Sequence, residues 1–318
     1  MKVYACGGFG VNIGDKLESI RTKTSEAIDS IDICYIDTSD ANLRHNNVNK
    51  DYLYLVEGTN GSGKLRSQNY NAIKEQIKSF LLKFKPEEFN VIVHSLAGGS
   101  GSVIAPIIAN ELLESGKNTI IVSISSEDST IEIENSIKTI KSYVGISQKT
   151  QKPVPMIYYP NDVDRKITDE KVVSAITLIS AYLNKNNHEL DYSDITNFLN
   201  YSKVTSNEPT LVMGKFFKDK IESTKNCHYI AVLTLALENQ PTNPGYPVDY
   251  QAIGYVNPET ISQGLTSNLP NHFALVDGCW PSIIDKFEKK LEEIKNIKDA
   301  VVAKKVKVTN TLDDGIVL

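Results

Sequence analysis

Four short stretches of this chain combine residue types and spacings that can do chemistry. Ser95-Leu-Ala-Gly-Gly-Ser-Gly-Ser102 sets three glycines among small polar residues, between an apolar run and an apolar helix. With no bulky side chains in the way, successive backbone N–H groups can line a concavity for phosphate oxygens, backed by the dipole of the following helix. A tight strand-to-helix turn needs one glycine, not three. Gly7-Gly-Phe-Gly-Val-Asn-Ile-Gly14 follows the first apolar run, and Gly58-Thr-Asn-Gly-Ser-Gly-Lys64 follows the third. The fourth stretch, Leu190-Asp-Tyr-Ser-Asp-Ile195, places Asp191 and Asp194 three apart. Carboxylates at that spacing share one side of a turn and can together orient and polarise a water; the same spacing also suits a helix N-cap.

Two familiar uses of such glycines fail on chemistry. A P-loop needs Ser or Thr after its lysine to hold Mg²⁺, and Leu65 follows Lys64; the next strand, Phe89 to His94, also ends without a metal-binding Asp. A dinucleotide fingerprint would require glycine where Ile13 stands, although Asp37 does close the second strand.

The elements that carry these loops alternate. Val3 to Cys6, Ile31 to Ile36, Tyr52 to Val56, Val91 to Val93 and Thr119 to Ile124 read as strands. Asn12 to Thr24, Tyr70 to Phe84 and Val103 to Leu113 read as helices, the second with Ile73, Ile77, Phe80, Leu81 and Phe84 at helical spacing. Such alternation predicts a parallel sheet with helices on both faces, whose ligands sit beyond the carboxyl ends of the strands, where every glycine loop here falls. Lys166 to Asn187 reads as a long helix, apolar on more than one side and therefore buried between two domains. Beyond it, Leu211 to Met213, Tyr229 to Leu237 and Phe273 to Val276 read as strands of a second α+β domain with a more antiparallel sheet. Ile283, Phe287, Leu291, Ile294, Ile297 and Val301 mark a final amphipathic helix, and TNTLDDGIVL a tail.

Composition narrows the function further. The 318 residues are 41% hydrophobic and 23% charged, which is ordinary globular composition and enough chain for about two domains. A formal net charge of −5, with 34 Lys and Arg against 39 Asp and Glu, argues against direct nucleic-acid binding. Cys6, Cys34, Cys227 and Cys279 lie far apart, and the five histidines lack ligand spacing, so neither a His/Cys metal site nor a disulfide framework is indicated. The first residues run from a strand into glycines, unlike a signal peptide, and no apolar run approaches a membrane span, so a cytoplasmic protein without a membrane partner is expected.

The Ser95–Ser102 loop resembles the signature loop of the tubulin and FtsZ superfamily, usually GGGTGS, with Ala97 for its first glycine and Ser100 for its threonine. The resemblance continues in order along the chain. GGFGVNIG matches the glycines of the tubulin first loop GQCGNQIG; YIDTSDANL resembles the second loop of FtsZ; Gly58 to Lys64 takes the place of the third loop, which in the family senses the γ-phosphate. Glu127 to Asn135 resembles the tubulin ribose loop SDTVVEPYN, with Asp128, Glu132 and Asn135 in register. Pro160-Asn161-Asp162 resembles the FtsZ turn whose asparagine reads the guanine edge, and Asp169 matches the residue that accepts from guanine N1 and N2. A dipole-favoured charge near a helix start is the plainer account of Asp169; Arg165 and Tyr159 are both candidates to stack on the base. LDYSDI resembles the FtsZ acidic loop VDFADV, while the Asn or Gln that usually precedes that loop is here Glu189.

The resemblance therefore implies an α/β fold: a Rossmann-like parallel-sheet GTPase domain over 1–165, a central helix over 166–187, an α+β domain over 188–281, a C-terminal helix over 282–305 and an acidic and apolar tail over 306–318. It implies GTP or GDP and Mg²⁺, held by Gly7, Gly8, Phe9, Asn12, Asp37, Thr38, Gly61, Ser62, Gly63, Ala97, Gly98, Gly99, Ser100, Gly101, Ser102, Asp128, Glu132, Asn161 and Asp169, with Asp37 and Thr38 near the magnesium. Asp191 and Asp194 are implied to act on the nucleotide of a neighbouring subunit, so that hydrolysis accompanies polymerisation. Within the superfamily the GGSGS core, the LDxxD loop and the tail resemble phage-encoded tubulins of the PhuZ type. There the tail contacts the next subunit and the filaments form a spindle that positions phage DNA; Asp313, Asp314, Ile316, Val317 and Leu318 are the matching residues, unless the tail is simply disordered. A non-hydrolysing structural filament and a TubZ-like plasmid-segregating filament are the alternatives.

Overall fold

The computed structural model describes residues 1–21, 31–44, 46, 48–161, 164–183, 187–222, 226–237, 240–256 and 270–303. The tail residues Asp313, Asp314, Ile316, Val317 and Leu318, and Asp162 of the Pro160–Asp162 turn, lie outside the described residues.

Among the described residues, eleven strands join in one sheet. Its amino-terminal part is built from β1 (Lys2–Cys6), β2 (Asp32–Asp37), β3 (Leu53–Leu55), β4 (Phe89–Ser95), β5 (Asn118–Ser125) and β6 (Val154–Pro160), all parallel. The order continues through β7 (Asn187–His188), β8 (Leu211–Phe217), β9 (His228–Ala236), β10 (Tyr250–Val256) and β11 (His272–Asp277) as β3-β2-β1-β4-β5-β6-β8-β11-β9-β10-β7. β8 pairs in parallel with β6, so the strands of the carboxyl half extend the same sheet, and antiparallel pairing begins where β11 meets β8 and β9.

Two apolar cores cover the two faces. On one lie α1 (Gly7–Arg21), α5 (Arg165–Leu183) and α6 (Tyr192–Leu199), through Val11, Leu17, Val172, Ile176, Ile195 and Phe198. On the other lie α2 (Tyr70–Lys83), α3 (Gly101–Glu114), α4 (Thr130–Thr150) and α7 (Trp280–Ala303), through Ile77, Phe80, Ile104, Ile108, Ile140 and Phe287. The parallel strands read as continuous apolar runs because helices bury both of their faces.

Several boundaries differ from the sequence reading. α1 begins at Gly7, not Asn12: its first turn is three glycines and Phe9, too little for an apolar stripe to read, but it packs against β1. Residues 130–135, read as loop, are the opening of α4. α5 is described to Leu183, and Asn187 belongs to β7 rather than to the helix.

The chain leaves β1 outward to β2 and β3, then returns to β4 on the other side of β1. That reversal opens a crevice at the carboxyl ends of β1 and β4, the place where parallel sheets hold ligands.

Candidate functional site

Two helices start in that crevice. α1 opens at Gly7, which has φ +69°, and a Cβ there would lie 2.7 Å from the Gly101 nitrogen that opens α3. Only glycine permits both the left-handed turn and the close approach. Two helix N-termini thus converge, and their unpaired amides and dipoles favour an anion between them.

Around this point lies a cavity of about 300 Å³. It gathers Gly7, Gly8, Phe9, Asp37, Gly61, Ser62, Gly98, Gly99, Ser100 and Gly101 of the expected site, and adds Cys6, Ser39, Asn42, Lys64 and Ser95. Asp37, at the end of β2, is buried; its carboxylate accepts from Thr38 N at 2.7 Å and Asn42 Nδ2 at 3.2 Å. Burial raises its pKa above the ordinary aspartate value, and these hydrogen bonds only partly oppose it. Thr38 Oγ1 meets Ser100 Oγ at 2.6 Å, linking the second loop to the signature loop. Ala97 and Ser102 are buried behind the cavity wall, and Ser102 Oγ donates to Gly99 O at 3.4 Å. Asn12 is exposed one turn beyond Gly8, accepting from Asn46 Nδ2 at 2.7 Å. Gly63 turns at φ +52° with open space beside it.

The Gly58–Lys64 segment is not a phosphate cradle at a helix start, because α2 begins only at Tyr70. It lies across the signature loop. Asn135 Nδ2 donates to Lys64 O at 2.8 Å and Ala97 O at 3.0 Å, fastening the two loops together. Asn135 is therefore a buried brace between the two loops. Arg66 adds bonds to Asn135 O, Thr139 Oγ1 and Ser142 Oγ. Lys64 Nζ pairs with Glu132 Oε1 at 2.9 Å, and Ser129 Oγ donates to Oε2 at 2.8 Å.

The remaining expected residues lie outside the cavity but along the same edge of the sheet. Asp128 follows β5 and pairs with Arg165 Nη2 at 3.0 Å. Asn161 follows β6, and its buried Oδ1 has no hydrogen-bond partner among the described residues. Asp169, in α5, accepts from Lys16 Nζ through Oδ2 at 2.5 Å, leaving Oδ1 free of that contact. The edge thus offers amides for phosphate, carboxylates for hydroxyls and an orphaned buried acceptor, a donor and acceptor set that fits a purine nucleotide. Among the described residues no group of three or more His, Cys, Asp or Glu could hold a metal ion, so any Mg²⁺ would rest on Asp37, Thr38 and the phosphates themselves.

Asp191 and Asp194 are elsewhere. Asp191 is the N-cap of α6, accepting from Asp194 N at 2.9 Å, while Asp194 Oδ2 accepts from Asp191 N at 3.1 Å. Tyr250 Oη also donates to Asp194 Oδ1 at 3.3 Å. α6 lies against the amino ends of the strands: Tyr192 packs on Phe89, the first residue of β4, with ring centroids 5.6 Å apart. The glycine loop hangs from Ser95, at the other end of that seven-residue strand, about 20 Å away at 3.3 Å per residue. Glu189, just before the acidic loop, is exposed and held at φ +83°.

The residues that sequence reasoning missed are the braces. Lys64 stands in the GSGK run and Glu132 in the Glu127–Asn135 stretch, but nothing local marks their pairing, nor Arg66 or Asn42.

Comparison with known proteins bears on the family and the fold. Residues 1–161 match the family model described as the Tubulin/FtsZ family, GTPase domain. A phage tubulin-like protein of Pseudomonas phage PhiPA3 is 31% identical over 237 residues, which is 74% of this chain and 72% of that protein. A solved protofilament of TubZ from bacteriophage PhiKZ superposes with a TM-score of 0.81 at 24% identity, covering 98% of this chain and 95% of that one. The structure of the phage tubulin PhuZ with GDP gives 0.79 at 19% identity, covering 98% and 96%.

Proposed function

This chain belongs to the tubulin/FtsZ family, and from that premise we propose that it binds guanine nucleotide, assembles head to tail into filaments and hydrolyses GTP where two subunits meet. The observation that carries this reading is the separation of the glycine loops from Asp191 and Asp194 by the length of the sheet. No subunit can bring its own acidic pair to its own phosphates, but stacked subunits would place one end of the sheet against the other.

In this reading the amides of Gly98, Gly99 and Gly101 cradle the phosphates, assisted by the N-termini of α1 and α3. Asp37 and Thr38 are the residues that would hold Mg²⁺, which would supply charge to offset that of the phosphates. Asp128 and Glu132 accept from ribose hydroxyls, Asn161 Oδ1 takes the guanine edge, and Asp169 accepts from guanine N1–H and N2–H. Guanine alone among the common bases presents those two adjacent donors, so a carboxylate there rejects adenine. Asp191 and Asp194 of the neighbouring subunit orient a water for in-line attack on the γ-phosphorus. Loss of the phosphate then loosens the contact between subunits.

The relatives carry the finer proposals. One is named as phage tubulin-like and another structure as a protofilament, so we place this chain in filaments of an infected host's cytoplasm. The sequence resemblance to phage-encoded tubulins adds the proposal that these filaments position phage DNA. The tail residues Asp313, Asp314, Ile316, Val317 and Leu318 contact the neighbouring subunit.

One observation favours a second reading. The reciprocal cap accounts for both Asp191 and Asp194 by the needs of α6 alone, as a non-hydrolysing structural filament would require. Phosphate release from GTP with Mg²⁺, followed across protein concentrations alongside light scattering, separates the two. Turnover and scattering rising together above a threshold support the first reading. Scattering without phosphate release supports the second, and turnover per subunit that ignores concentration contradicts both.

A further inference from the structure

The loop after β5 is held from outside the amino-terminal half of the chain. Glu127 accepts from Lys286 Nζ at 2.8 Å and from Lys290 Nζ at 2.5 Å. Both lysines belong to α7 and stand four residues apart, so they share one face of that helix. The Glu127 side chain is only 14% exposed, against 58% for Asp128 beside it. A carboxylate so far removed from water needs its partners; removing them leaves a largely desolvated charge. Burial alone would raise the Glu127 carboxyl, and the two ammonium groups outweigh it, holding the group below the ordinary glutamate value.

The next residue, Asp128, is held by Arg165 at the start of α5. Residues 127 and 128 are therefore tied to two different helices, α7 and α5, immediately before α4 begins. α7 is seated elsewhere too: Trp280 packs on Tyr158 of β6 at 5.7 Å between centroids, and Lys141 of α4 reaches Glu288 at 3.4 Å. Toward its far end, Ile297, Val301 and Val302 are exposed.

We propose that Glu127, Lys286 and Lys290 form a positioning clamp through which the C-terminal helix holds the ribose loop, so that nucleotide occupancy and the seating of α7 are coupled. The proposal rests on the ribose role assigned above to Asp128 and Glu132. Coupling of this kind is reciprocal: to the extent that the clamp supports nucleotide affinity, bound nucleotide steadies α7 by the same factor. α7 continues into the tail sequence, so the clamp connects the nucleotide edge with the segment assigned to the subunit contact.

Calorimetric titration with unmodified GDP, paired with amide hydrogen exchange of α7, tests this. Glu127→Gln and the double variant K286M/K290M should each weaken GDP binding by about fivefold to tenfold. The triple variant should be no weaker than either, and K286R/K290R should bind like the parent. GDP should slow exchange from Ile283 to Ile294 in the parent chain and not in Glu127→Gln. Losses that add, unchanged affinity in every variant, or GDP-dependent protection of α7 that survives Glu127→Gln would each overturn the clamp. A parent chain that binds no GDP overturns the nucleotide reading itself, before any variant is made.

Discussion

Asn118 Nδ2, at the first residue of β5, donates to Thr196 Oγ1 of α6 at 3.1 Å. Asn200 Nδ2 returns a 2.9 Å bond to Asn118 Oδ1, so one asparagine ties both ends of the helix's last turn to the amino end of the sheet. β5 ends seven residues later at Ser125, immediately before the loop proposed to hold the ribose. The same strand therefore carries the acidic helix at one end and part of the proposed nucleotide edge at the other. This polarity is the structural basis for placing catalysis between subunits.

The two roles of Asp191 can be separated. Serine caps a helix about as well as aspartate but offers no carboxylate. Asp191→Ser should keep the thermal midpoint and nucleotide affinity while lowering polymer-dependent turnover by at least about 100-fold. Asp191→Ala should lose turnover and about 1 kcal/mol of stability as well. Equal turnover in Asp191→Ser and the parent would assign the carboxylate to capping alone.

The signature-loop glycines divide into two kinds. A methyl group on Gly101 would lie 2.7 Å from Cys6 O, so Gly101→Ala should be destabilised by about 1–3 kcal/mol or fail to fold. At Gly98 the nearest heavy atom is Ser95 Cβ at 3.9 Å, so Gly98→Ala should fold normally. Its methyl stands beside the cavity, and GDP affinity should fall roughly tenfold, an overpacking cost of the usual size. Calorimetry on the folded Gly98→Ala variant checks this; parental affinity would move the phosphates away from this loop.

Base choice should follow Asp169. An asparagine there exchanges one acceptor for a donor, which suits the C2 carbonyl of xanthine better than the amino group of guanine. Asp169→Asn should lose GDP affinity by roughly tenfold or more and gain affinity for xanthosine diphosphate. If both affinities stay unchanged, Asp169 serves only its ion pair with Lys16.

Acid should destabilise the protein through His94. The ring is fully buried, with Nδ1 facing Ser95 O at 3.0 Å and Nε2 facing Tyr143 Oη at 2.8 Å. A carbonyl only accepts, so the proton sits on Nδ1 and the hydroxyl donates to Nε2. Burial lowers its pKa from 6.5 to about 3. The unfolded chain thus takes up a proton below 6.5 that the folded chain refuses until about 3. Stability held above pH 6.5 should then fall by up to about 1.4 kcal/mol per pH unit as pH drops through that window. Unfolding midpoints of His94→Gln, compared with the parent from pH 7 to 5, should show the variant less stable at pH 7 but with a flatter decline. Parallel curves would contradict the assignment.

How much of this was legible in the sequence follows from how local each feature is. The glycine loops announced themselves because phosphate cradling needs several small residues in a row, and the parallel sheet because its strands are apolar runs. α1's true start was hidden, since glycine is a poor helix former and only packing under β1 makes that turn helical. The sequence reading has no strand at β6 or β10, and it has loop where α4 opens. The braces were beyond reach: Lys286 and Glu127 stand 159 residues apart, and Arg66 reaches Asn135 across 69. The capping role of Asp191 was readable from spacing alone; its distance from the glycine loops needed the sheet.

The central claim is that the acidic pair of one subunit serves the nucleotide of the next. Asp194→Asn subunits, preloaded with GTP labelled on the γ-phosphate and copolymerised with excess unlabelled parent, test it in a single turnover. The amide preserves the cap acceptor, so the variant should assemble. Release of label at close to the parental rate is predicted, because most labelled nucleotides then face a parental acidic pair. Label retained on the variant, whatever its neighbours, would place the carboxylates and the phosphate they act on in one chain and contradict the account.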